Sequence, residues 1–260
     1  MNKFKEHIWN NKKRRALFIT LTSIALVLVL IITSCAIYLG SYYHADDAAI
    51  AEFTVEAEIK EERVKDGNWV FAPAETQATT GFIFYPGGKV EHEAYKPLLR
   101  ELASKGVLCV LVEMPFHLAI FDVNAADGIA EQHPEITAWY IGGHSLGGAM
   151  AATYASKHTT QFKGLVLLAA YSNDNLEKSG LRVLSIYGNK DEILNEKTYE
   201  NCLSNLPDDY ETHIIKGGNH AYFGMYGEQA GDGKATISNE QQIRETASYI
   251  AKFMLRGNIV

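Results

Sequence analysis

The chain has 260 residues, 47% apolar and 21% charged, a globular composition that excludes a disordered or fibrous chain. Its net charge of −7 is unevenly placed: the first forty residues hold Lys3, Lys5, Lys12, Lys13, Arg14 and Arg15 against Glu6 alone, so the remainder stands at −12. An acidic main body argues against nucleic acid as a partner, because neutralising phosphates takes clustered Lys and Arg.

Residues 1–15 read as a basic cytoplasmic segment and 16–39 as a transmembrane anchor. Ala16 to Leu39 contains no charged residue. As a helix it would rise ~36 Å, enough to cross a hydrocarbon core of ~30 Å. Lys12-Lys13-Arg14-Arg15 at its start holds that end in the cytoplasm by the positive-inside rule, so the chain emerges on the far side. Tyr38, Tyr42 and Tyr43 are expected at the far interface, where amphipathic rings are favoured. A cleaved secretory signal would have a shorter apolar core. Ile32-Thr33-Ser34-Cys35 resembles a lipobox, which offers a second reading: a lipoprotein anchored at Cys35. Both readings place a membrane-attached, extracytoplasmic body after residue 40.

Residues 40–52 read as a connector and 53–260 as one domain. Phe53 to Ile59 alternates as a half-exposed strand does, with Trp69 to Ala72 as its antiparallel partner. From Gly81 short apolar runs follow at 82–85, 107–112, 138–141, 164–169, 183–187 and 213–215. Helical segments are expected between them near 93–105, 125–132, 146–158, 195–205 and 238–256. Strands alternating with helices predict a doubly wound, mostly parallel α/β sheet covered on both faces. In such sheets ligands bind beyond the carboxyl ends of the strands. Three cysteines are too few for a disulfide framework or a zinc site; Cys109, inside the 107–112 run, and Cys202 read as packing thiols. No metal-ligand spacing and no phosphate-binding glycine loop is present in the sequence.

The chemistry concentrates after three of these runs. Trp139-Tyr140-Ile141 leads into Gly142-Gly143-His144-Ser145-Leu146-Gly147-Gly148 and then Ala149-Met150-Ala151-Ala152: a strand, a glycine turn and a small-residue helix. That context makes Gly-x-Ser-x-Gly a nucleophile elbow, with Ser145 raised above the sheet at a helix N-terminus. The plainer alternative is a helix-capping serine. A serine hydroxyl needs a base, and the base needs an orienting acid. Downstream, Val183–Tyr187 ends in Gly188-Asn189-Lys190-Asp191-Glu192, and His213–Ile215 leads into Lys216-Gly217-Gly218-Asn219-His220. Asp191 and His220 therefore complete a Ser-Asp-His order. Asp174 and Glu192 are rival acids, while His158 and His213 suit structural or surface roles. For the oxyanion hole one donor is the N–H of Leu146. The second comes from Pro86-Gly87-Gly88-Lys89 after the 82–85 strand, with Gly88 preferred over Gly87 and Lys89.

Together these segments resemble the α/β-hydrolase superfamily. More narrowly, they resemble small bacterial α/β-hydrolases of the dienelactone-hydrolase-like and lysophospholipase-like kind. The matching stretches are Tyr85 to Val90, Gly142 to Ala152, Leu165 to Tyr171, Ser185 to Gly188 and Gly217 to Ala221. The resemblance implies an α/β-hydrolase fold over about residues 80–256, with Ser145, Asp191 and His220 as the catalytic triad. It implies hydrolysis of carboxylic esters through an acyl-enzyme, without a cofactor. Dienelactone hydrolases use Cys as nucleophile where this chain has Ser145. Tyr171 to Leu181 is too short for the cap domain of larger relatives, which predicts an open site bordered by 113–122 and 221–234. The expected partners are a small-molecule ester and the membrane, not nucleic acid. An acyltransferase on the same triad and a non-catalytic anchored binding module are the alternatives.

Overall fold

The computed structural model describes residues 2–256; the side chains of Lys3, Lys5, Glu6 and Lys12, counted above, and the last four residues of the expected domain lie outside the described residues. The chain divides between Ser41 and Tyr42 into two compact units. The first is one helix, α1 (Asn2–Gly40). Within it Lys13–Gly40 is long and apolar enough to cross a membrane, and its Leu, Ile and Val side chains are exposed. The helix runs unbroken through Cys35.

The second unit begins before residue 53. Residues 42–52, expected as a connector, pack into it: Tyr43 bridges Val90, and α2 (Asp47–Glu52), capped by the Asp46 carboxylate, buries Ile50. The Tyr43 ring packs on the hydrophobic core beside Tyr226.

Eight strands form the sheet: β1 (Ile59–Arg63), β2 (Trp69–Pro73), β3 (Thr80–Tyr85), β4 (Val107–Leu111), β5 (Ala138–His144), β6 (Gly164–Leu168), β7 (Arg182–Gly188) and β8 (Glu211–Ile215). Their order is β1-β2-β4-β3-β5-β6-β7-β8. β1 and β2 pair antiparallel, as do β2 and β4; every other pair is parallel. The inner parallel strands β3, β4 and β6 are buried along their whole length because both faces are covered, whereas the edge strand β8 stays half exposed with Glu211, Thr212 and His213. Phe82 and Phe84 join the core under α3 (Lys96–Ser104) and α7 (Asn239–Leu255), while Ile83 and Tyr85 join the core under α5 (Leu146–Lys157). Two shorter helices, α4 (Ile129–Gln132) and α6 (Glu196–Cys202), complete the layers. Chain order reverses around β3, which has β4 on one side and β5 on the other. A crevice therefore opens at the carboxyl ends of β3 and β5.

Two expectations need correction. The first strand is 59–63, not 53–59. Phe53 is buried under the Arg244 guanidinium, 4.5 Å from its ring centroid, and Thr54 carbonyl accepts from Arg244 Nη2 at 2.8 Å, so this segment is tied to α7 instead of pairing. The charged Ile-Lys-Glu-Glu-Arg strand is held from α3, where Lys96 and Arg100 reach Glu61 at 2.9 and 2.7 Å. Burial pushes the Glu61 carboxyl up, but these two cations outweigh it and bring it below the ordinary value. The helix expected at 125–132 shrinks to α4, because Gly128 is left-handed (φ 77°) and Tyr85 fixes the preceding turn. The Tyr85 hydroxyl accepts from Ala126 N–H at 2.9 Å and donates to Val123 carbonyl at 2.8 Å.

Candidate active site

β5 ends at His144, Ser145 takes φ 51° and ψ −123°, and α5 starts at Leu146. A left-handed φ at a non-glycine residue costs energy and persists only where its surroundings enforce it. The enforcement is visible on both sides. Ser145 N–H donates to Leu168 carbonyl at 2.9 Å, and its own carbonyl accepts from Ala149 N–H at 3.1 Å. The glycines are steric requirements: a Cβ on Gly143 would strike Tyr85 carbonyl, and one on Gly147 would strike the carbonyls of Pro86 and Tyr85. Ser145 makes no side-chain capping bond to α5, so its hydroxyl is not spent as an N-cap.

His220 and Asp191 meet at the ends of β8 and β7. His220 Nδ1 lies 2.8 Å from Asp191 Oδ2, and both side chains are almost wholly buried (3% and 1% exposed). The other carboxylate oxygen of Asp191 accepts from Ile193 and Leu194 N–H at 2.9 and 2.8 Å. Asp191 is thus oriented at both oxygens, one of them on His220 Nδ1. Ser145 and His220 line one cavity of about 320 Å³, together with Leu146, Met150, Tyr171 and Leu194 among others. The rival acids lie elsewhere. Asp174 accepts from Thr153 hydroxyl at 2.6 Å, and Glu192 is exposed. His213 is held by Glu245 at 2.8 Å and stacks on Tyr249; His158 is bonded to Tyr154 carbonyl. Cys109 is fully buried and burial pushes its thiol up; Cys202 is half-buried.

Both oxyanion candidates sit at the mouth of the crevice. Gly88 lies against Leu146, whose Cδ2 would stand 2.9 Å from an added Cβ. Gly87 N–H donates to Tyr95 hydroxyl at 3.1 Å and Lys89 N–H to His117 carbonyl at 2.7 Å. Among the described residues Gly88 N–H has no such partner, and Leu146 N–H is at the first helical position, where no carbonyl within the helix can take it. The two open donors are therefore those of Gly88 and Leu146.

Neither loop expected at the border lines this cavity. Its walls come instead from 169–173, after β6, and 193–195, after the acid. The cause is local. Residues 113–122 fold into two 3-10 turns that support Lys89 from outside, and 221–234 turns inward to brace the base. Asp232 in that second loop accepts from Ala221 N–H at 2.9 Å, Gly233 N–H at 2.8 Å and Glu192 N–H at 3.3 Å. One carboxylate thereby ties the residue after His220 to the residue after Asp191. Asn219 and Gln242 exchange two further bonds beneath the base, at 3.0 and 2.8 Å.

Sequence reasoning missed Asp232, and it also missed Tyr95 and His144. The buried Tyr95 hydroxyl accepts from Gly87 and is hydrogen-bonded to His144 Nδ1 at 2.8 Å. Burial holds His144 well below the ordinary histidine value, and the neighbouring His220, 4.6 Å away ring to ring, pushes the same way. The His220 carbonyl opposes them and is outweighed. His144 is therefore neutral and buried between the oxyanion loop and the base. Its only sequence signal was its place beside Ser145, and no periodicity marks Tyr95 or Asp232 as polar partners.

The geometry agrees with what is known of other chains. The alpha/beta hydrolase family model matches residues 81–244. No curated protein matches the chain. Among solved structures, the esterase domain of a Rhodothermus marinus protein aligns with a TM-score of 0.54 at 14% identity. The alignment covers 77% of this chain and 98% of that one, a likeness that concerns the fold. The family match spans more than half of the sequence and includes Ser145, Asp191 and His220, and on that extent the chain belongs to the alpha/beta hydrolase family.

Proposed function

We propose that this chain is a membrane-anchored serine hydrolase acting on carboxylic esters. The observation that carries the reading is the buried 2.8 Å contact of Asp191 with His220, a residue that lines the same cavity as Ser145 on its strained elbow. His220 Nε2 takes the Ser145 proton as Oγ attacks the ester carbonyl. Asp191 holds the imidazole in the required tautomer and stabilises the imidazolium. Gly88 and Leu146 N–H groups bind the oxyanion. His220 then protonates the leaving alcohol, and water, deprotonated by the same imidazole, releases the acid from the acyl-enzyme. No Asp, Glu, Lys or Arg is among the described residues lining the cavity, which favours an uncharged acyl or alcohol group. The esterase name of the Rhodothermus domain is consistent with this chemistry. The narrower lysophospholipase-like or dienelactone-hydrolase-like assignments belong to this reading too, the second with Ser145 in place of Cys.

The anchor reading rests on Lys13–Gly40 and its basic flank; it places the hydrolase outside the cytoplasm. The test is a panel of acyl esters of increasing chain length, assayed with Ser145→Ala as control. Wild type should hydrolyse some members, and the variant should lose ~10⁴-fold or more in kcat. Turnover by the variant at the wild-type rate would remove the reading. Adding a competing alcohol distinguishes transfer from hydrolysis: a transferase yields mainly the new ester, a hydrolase mainly the acid.

A further inference from the structure

Outside α1, the large apolar side chains that stand exposed among the described residues are Phe116, Ile120, Phe121, Ile214 and Tyr249. Three of these five fall within six consecutive residues. Phe116, Ile120 and Phe121 are 59%, 57% and 56% exposed, and the two phenyl rings meet edge to face at 5.7 Å. Scattered exposed apolar residues need no explanation, but a cluster marks a site for membrane or protein.

The patch is displayed rather than loose. Phe116 and His117 both hold left-handed backbone angles, φ 54° and 56°, which turn the Phe116 side chain outward at a conformational cost. Two 3-10 turns, Pro115–His117 and Ala119–Phe121, stand back to back, and between them Leu118 and Ala119 are buried. The base of the patch is fastened to the candidate oxyanion loop. Lys89 N–H donates to His117 carbonyl at 2.7 Å, and Leu118 lies against Gly88.

The chain itself says which occupant this surface has within reach. The Tyr42 ring lies on the His117 ring, 3.9 Å between centroids. Tyr42 follows the last residue of α1, Gly40, by two residues, which at ~3.8 Å per residue span at most about 8 Å. Whatever surface the apolar span emerges from is therefore covalently held close to Phe116. An exposed apolar cluster presented on a hydrogen-bonded turn suits insertion at the boundary between headgroups and acyl chains.

We infer that Phe116, Ile120 and Phe121 dock the hydrolase unit onto the bilayer that anchors it, so that the site takes an ester belonging to that lipid surface. The inference rests on the anchored-esterase reading above. The test uses the full chain in phosphatidylcholine vesicles whose acyl chains are brominated near the headgroup. The emission added by Phe121→Trp should be quenched, while that added by Tyr249→Trp, exposed on α7, should not. In the same vesicles, Phe116→Ser/Ile120→Ser/Phe121→Ser should lower hydrolysis of a long-chain ester carried in the bilayer about ten-fold, and of a water-soluble short-chain ester less than about two-fold. Unquenched Phe121→Trp emission overturns the inference, and so does an equal loss on both esters. Self-association that the triple variant abolishes, with no quenching, gives the patch to a second copy and also overturns it. Quenching of Phe121→Trp in a protein that hydrolyses no ester leaves docking standing and removes the esterase reading instead.

Discussion

At the residue scale, Asp191 and His220 owe their placement to a second carboxylate. Asp232 accepts N–H bonds from the residues that follow His220 and Asp191, so its removal leaves both loops to drift. Asp232→Ala should lower kcat ~10- to 100-fold with little change in KM, as expected when positioning is lost and not contact with substrate. Steady-state kinetics on any hydrolysed ester checks this; a rise in KM alone would place Asp232 in substrate binding. His144 gives a second prediction. Its folded-state value lies below the unfolded value of 6.5, so the unfolded chain binds the extra proton as pH falls. The stabilisation is present above pH 6.5 and lost below it, at up to ~1.4 kcal/mol per pH unit for one proton. Denaturant unfolding between pH 7 and 5 should show that slope, and His144→Gln should flatten it. The places of Ser145, Asp191 and His220 just after β5, β7 and β8 were legible because each follows an apolar run that ends in a glycine turn. Asp232 and Tyr95 were not, because nothing in a linear pattern records which carboxylate or phenol will face a given backbone N–H.

At the scale of elements, the parallel strands were readable to within two or three residues, since burial on both faces leaves runs such as Phe82-Ile83-Phe84-Tyr85 with no polar interruption. β1 was misplaced for the opposite reason. It is an edge strand whose charged side chains are satisfied by Lys96 and Arg100 from a helix more than thirty residues away. Alternation at 53–59 belonged to a segment bound to α7 through Thr54. The elbow turn is the most demanding element. A methyl group on Gly147 would overlap the backbone carbonyls of Tyr85 and Pro86, which cannot retreat without moving β3 away from β5. Gly147→Ala should cost ~2–3 kcal/mol of stability, on the scale of overpacking in a core. Thermal unfolding would show it, and an unchanged Tm would mean that the turn accommodates a side chain.

At the scale of the whole molecule, the two units have different solvents in the anchored reading. Ala16 to Leu39 carries no charged side chain on any face, as a segment facing lipid requires, while the hydrolase unit keeps its apolar faces inside the sheet layers. The expected outcome is retention of the intact chain in membranes after alkaline carbonate extraction, with its unmodified N-terminus seen by mass spectrometry. A mature N-terminus at a lipid-bearing Cys35 would replace the spanning helix by a lipid tether. Neither outcome alters the central claim, which concerns Ser145. That claim is tested most directly by a fluorophosphonate probe, read by intact mass and by mapping the modified peptide. The account predicts a single covalent adduct on Ser145, absent in Ser145→Ala and greatly slowed in His220→Ala. Labelling that persists in Ser145→Ala, or that maps to another residue, would contradict it.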